Sequence, residues 1–74
     1  MSKDHLTAGE VTQIINRYLE AVEKKHGPRA RDCTDLSYRK GRFYLRPHTH
    51  SREAQALPYR AKEIVAMTRG LTET

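Results

Sequence analysis

The sequence predicts an α+β domain in which a helix, a two-stranded antiparallel hairpin and a second helix follow one another, with both helices packed on one face of the hairpin. Two amphipathic stripes at helical spacing carry the helices: Val11, Ile14, Ile15, Tyr18, Leu19 and Val22, then Ala61, Ile64, Val65, Thr68 and Leu71. Between them, LSYRKGRFYLRP (Leu36 to Pro47) alternates apolar and polar residues on both sides of Lys40-Gly41. That alternation is the period of a ribbon with one buried face.

The first helix is expected over residues 8–26. Thr7-Ala8-Gly9-Glu10 reads as a capping box, and Leu6 and Val11 occupy the two positions of a hydrophobic staple. Lys24, Lys25 and His26 place positive charge at the negative end of the helix dipole, and Gly27-Pro28 ends the helix. Residues 28–35 (PRARDCTD) lack periodicity and read as a connecting loop.

In the hairpin, Tyr38 is expected opposite Phe43 and Leu36 opposite Leu45, so that four apolar side chains share the buried face. Ser37, Arg39, Arg42, Tyr44 and Arg46 then share the other. The turn at Lys40-Gly41 stays open, because a two-residue type I′ turn needs positive φ at Lys40, where Asn or Asp is favoured. Pro47 ends the second strand. Residues 51–56 have helix-forming composition, with Ser51 placed to cap a turn. Pro58 suits the first position of a helix expected over 58–70, ended by Gly70 and a frayed TET tail.

At 74 residues the chain makes one small domain (1–74), with a core spanning about residues 6–71, near the lower size limit for an apolar core without disulfides or metal. Cys33 is the single cysteine, which excludes an internal disulfide and favours a reducing, cytoplasmic setting. MSKDHL has no apolar stretch resembling a signal peptide, and no window approaches a membrane span.

The formal net charge of +5 is unevenly placed. Residues 1–37 balance six basic against six acidic side chains, whereas residues 38–74 hold eight basic and three acidic. Arg39, Lys40, Arg42, Arg46 and Arg52 all fall between Asp35 and Glu53, a stretch without an acid. With Tyr44 among them, these residues form the candidate nucleic-acid-binding face: guanidinium groups hold phosphates while a base stacks on the ring. The simpler reading is a solvated sheet face whose charges discourage edge pairing.

Weaker constellations are a metal site from His26, Cys33, His48 and His50, and an enzyme. The metal site lacks the closely spaced cysteine pair usual for zinc, so no cofactor is expected. For the enzyme, Cys33 lies beside Asp32 with no adjacent histidine to activate it, and no Gly-rich phosphate loop is present. A non-enzymatic role is expected. The alternative to nucleic-acid binding is a protein-interaction or accessory protein, including a homodimer joined through the hairpin edges.

The order helix, strands, helix resembles the double-stranded RNA-binding domain, a family with a third strand and a basic cluster opening its last helix. Neither is read from this chain. YRKGRFYLRP also resembles the hairpins of amino-terminal arm-binding domains of phage-type integrases, over that stretch alone. Neither resemblance is sufficient to assign a family.

Overall fold

The computed structural model describes residues 6–72, so the expectations for residues 1–5 and for Glu73 and Thr74 of the expected frayed TET tail lie outside it, whereas Thr72 of that tail is helical. The element order is α1 (Ala8–His26), α2 (Pro28–Cys33), β1 (Asp35–Arg39), β2 (Arg42–Arg46), β3 (Leu57–Tyr59) and α3 (Ala61–Thr72). The three strands form one antiparallel sheet of order β1-β2-β3, and the helices pack against it. The α+β class is as expected; the sheet has one strand more.

α1 has the expected bounds and cap. The Glu10 amide donates to the Thr7 hydroxyl at 3.1 Å, and the Thr7 amide donates to the Glu10 carboxylate at 3.1 Å. Both staple residues, Leu6 and Val11, are partly buried against the core. The helix stops at Gly27, whose φ of 97° lies in the left-handed half of the map that glycine tolerates.

Residues 28–33 are helical, not the loop expected from their lack of periodicity. Pro28 fills the first turn of α2, where its missing N–H and fixed φ cost nothing. Only Ala30 of this helix is buried, so six residues leave almost no stripe to detect. Thr34 closes α2, donating from its hydroxyl to the Ala30 carbonyl at 2.7 Å. Arg31 and Glu23 tie α2 to α1 through an ion pair at 2.6 Å.

β1 and β2 pair in the expected register, Tyr38 with Phe43 and Leu36 with Leu45. The turn is the two-residue form: Lys40 has φ 50° and Gly41 φ 80°, the pair of positive values that defines type I′. Hydrophobic parity thus outweighs the preference of lysine for negative φ.

The segment after β2 departs most from expectation. Residues 51–56 form turns and a bend, with the Ala54 amide donating to the Ser51 carbonyl at 3.0 Å and no helix following. Pro58 lies in β3, not in the first turn of a helix; β3 pairs with β2 through Phe43 and Tyr59, Tyr44 and Pro58, Leu45 and Leu57. A proline is tolerated there because β3 is an edge strand. β2 is therefore central, and among the described residues β1 and β3 carry the free edges.

α3 begins at Ala61, where Glu63 accepts from the Arg60 amide at 3.0 Å, and runs through Gly70 to Thr72. Its inward stripe is Ala61, Ile64, Met67 and Leu71; Val65, expected in the core, is 39% exposed. Phe43 and Ile64 are fully buried, with Leu45, Val22, Tyr18 and Ala30 completing the cluster. Burial of each large side chain contributes about 1.5–3 kcal/mol. No helix of the described residues is long and apolar enough to cross a membrane.

Candidate nucleic-acid interface

The pleat of β1 and β2 sends Asp35, Ser37 and Arg39, and Arg42, Tyr44 and Arg46, to the side opposite Phe43 and Leu45. β3 adds Pro58 beside Tyr44. Tyr44 thus sits at the centre of this outer face, flanked by Ser37 on one side and Pro58 on the other.

The basic residues fall into two groups. Arg39 and Arg42 are direct register partners at the turn end of the hairpin, both exposed, with exposed Lys40 between them at the tip. Like charges directly opposite one another oppose pairing. The one ion pair among the described residues is Arg31 with Glu23, so no carboxylate of those residues holds any of these three cations. Arg39 instead lies over the Tyr44 ring, its guanidinium carbon 5.0 Å from the ring centroid. This diagonal contact across the strands is a cation–π interaction.

The second group serves the fold. Arg46 turns toward the loop that follows β2 and donates to the Arg52 carbonyl at 2.6 Å, while its Nε is buried without a hydrogen-bond partner. Arg52 enters this contact through its backbone, and its side chain is exposed. The structure thus gathers Arg39, Lys40 and Arg42 at the turn end of the sheet, with Arg39 reaching the central Tyr44, and turns Arg46 to bracing the 47–56 connection. Alternation places Arg46 on the outer face but carries no signal of this second contact.

His26, Cys33, His48 and His50 do not converge. Among the described residues no group of three or more His, Cys, Asp or Glu side chains is placed to hold a metal ion. Two of the four do meet: the His26 and His48 rings lie 4.6 Å apart between centroids, tilted by 43°. This contact joins the end of α1 to the start of the β2–β3 connection, a proximity that sequence spacing gives no sign of. Cys33 is half-buried at the end of α2.

Burial pushes the Tyr18 hydroxyl above its ordinary value of 10.0, and the nearby Tyr59 phenol adds to the shift. Tyr18 faces the core and belongs to the packing, not to the outer face. A scan of protein-family models finds no match to this chain, and comparison with curated proteins and with solved structures finds none.

Proposed function

We propose that this protein is a small, non-enzymatic nucleic-acid-binding module that contacts its ligand through Arg39, Lys40, Arg42 and Tyr44. The observation that carries this reading is the Arg39–Arg42 pair: two exposed arginines occupy directly opposite register positions beside Lys40, and no carboxylate among the described residues neutralises them. A phosphate placed between them would relieve their repulsion and accept from both. Arg39 already covers Tyr44, so on transfer of its guanidinium to a phosphate the ring becomes available to a stacking base. The third strand brings the element order nearer to the helix, three antiparallel strands, helix of the double-stranded RNA-binding domain, from which the chain differs by α2. At the opening of α3, Arg60 and Lys62 are both exposed, with Glu63 engaged in the cap. A cytoplasmic setting, argued from the lone Cys33, belongs to the same proposal.

Fluorescence anisotropy with labelled single-stranded and duplex oligonucleotides, across a salt series, tests it. Arg42→Ala is expected to weaken binding to all sequences and to reduce the salt slope by about one unit, the signature of one lost phosphate contact. Tyr44→Ala is expected to cost about 1–3 kcal/mol on single strands with the slope nearly unchanged. Absence of salt-sensitive binding by the unaltered protein at micromolar concentration and low salt overturns the proposal.

A further inference from the structure

Among the described residues the sheet has two free edges, and they differ in what they offer. β3 is three residues long and carries Pro58, which cannot donate to a neighbouring strand. β1 has five residues and no proline. A two-residue turn closes on a hydrogen-bonded pair, so Arg39, and with it Ser37 and Asp35, direct their backbone groups to β2. Leu36 and Tyr38 occupy the alternate positions, and their N–H and C=O groups point out along the free edge. An apolar cleft lined by Leu6, Val11 and Ile15 from one side and by Leu36 and Tyr38 from the other runs beside it. These side chains are only partly buried.

The sequence of this edge, Asp-Leu-Ser-Tyr-Arg, is complementary to itself when reversed. Set antiparallel about Ser37, a second copy of β1 brings Asp35 opposite Arg39 at both ends and Leu36 opposite Tyr38 between them. The backbone phase agrees. Leu36 and Tyr38, whose polar groups point outward, become the hydrogen-bonded pairs, while Asp35, Ser37 and Arg39 take the close, non-hydrogen-bonded positions where side chains interact most strongly. Side-chain parity agrees as well, since Leu36 and Tyr38 of both copies fall on the helix-covered face. Moving the centre to Leu36 or Tyr38 sets Asp35 or Arg39 opposite Ser37 instead and loses the charge match.

We propose that the β1 edge is a homodimer interface: two copies pair β1 to β1 about a two-fold axis through Ser37, forming one six-stranded antiparallel sheet of order β3-β2-β1-β1-β2-β3. Such an isologous contact closes on itself, leaving only the short, proline-bearing β3 edges outside. It brings the two apolar clefts together across the axis and enlarges a core near the minimum for a stable domain. The inference does not rest on nucleic-acid binding, but it draws on the same Arg39, which in the dimer lies opposite Asp35 of the second copy.

Sedimentation velocity of the full chain from about 5 to about 500 μM, at constant salt, reads the dimer directly. The unaltered protein is expected to dimerise within that range. Asp35→Arg and Arg39→Asp each set like charges opposite one another at both ends, and each is expected to raise the dissociation constant roughly tenfold or more. The double variant D35R/R39D restores opposite charges and is expected to return to within roughly threefold of the unaltered value. Circular dichroism melts verify that each variant is folded. If a single variant is not, amide exchange in the unaltered protein decides, with Leu36 and Tyr38 expected to gain protection as concentration rises. A monomer throughout the range, a dimer indifferent to both single charge reversals, or exchange at Leu36 and Tyr38 independent of concentration each overturns the proposal.

Discussion

The two faces of β2 are one residue apart in sequence and opposite in what encloses them. Phe43 and Leu45 point into a cluster closed by Tyr18, Val22 and Ile64 from the helices, and neither keeps more than 1% of its surface. Arg42, Tyr44 and Arg46, interleaved with them, point to the opposite side of the sheet. What covers the outer face is its own side chains: Arg39 lies on Tyr44, and Arg46 reaches the Arg52 carbonyl. One strand thus supplies the centre of the core at alternate positions and an open basic surface at the others. Changes to the two sets should separate, with the first acting on stability and the second on binding or on local order.

The sharpest way to break that separation is Phe43→Ala. Truncation of a fully buried phenylalanine is expected to cost about 3 kcal/mol or more, a large share of what so small a domain can hold. Denaturant titration measures it, and a loss below about 1 kcal/mol would mean that the inner face is not the core. The next effect is expected at alkaline pH. With the folded-state pKa of Tyr18 raised above 10.0, the folded protein holds this proton more tightly than the unfolded chain does. The associated stability is present below pH 10 and is lost as pH rises through the raised value. Melts taken across this window should fall less steeply for Tyr18→Phe than for the unaltered protein, and equal slopes would discount Tyr18 as the source. The smallest effect belongs to the outer face. Arg46→Ala removes a hydrogen bond to the Arg52 carbonyl but also an unpartnered buried Nε, two terms of opposite sign, so a net loss of about 1 kcal/mol or less is expected. Faster amide exchange across residues 47–56, with the core amides unchanged, is its signature; a global loss comparable to that of Phe43→Ala would erase the distinction between the faces.

How far this could be read from sequence depends on where each signal resides. The capping box and stripe of α1, and the register of β1 with β2, are local patterns, and both appear where expected. β3 is not local. Leu57-Pro58-Tyr59 becomes a strand because β2 has a second edge to fill, and Pro58 taken alone fits the opening of a helix at least as well. α2 is too short for any period to show. Helical spacing puts Val65 in the stripe, whereas Met67, two residues on, takes the inward place, a rotation that tertiary packing alone decides. On the outer face, alternation correctly sends Arg39, Arg42, Tyr44 and Arg46 to one side. The contacts made there are set by side-chain reach, which is why Arg46's turn toward the loop and the meeting of His26 with His48 left no trace in the spacing.

The unequal attachment of β2's two neighbours implies an order of assembly. β1 is joined to β2 by a turn of two residues, so their pairing closes a minimal loop and can zip on the microsecond scale of hairpin formation. β3 must return across the longer connection between Arg46 and Leu57. The packing of α3 on α1 joins the two ends of the chain, with all three strands between them. Closure of such long loops carries an entropic cost before the contacts that offset it have formed. The β1–β2 ribbon is therefore available as an early template, and docking of β3 and α3 completes the structure late. In the native state the same asymmetry makes β3, three residues long and tied in by the longer connection, the strand that opens first and transiently exposes the second edge of β2.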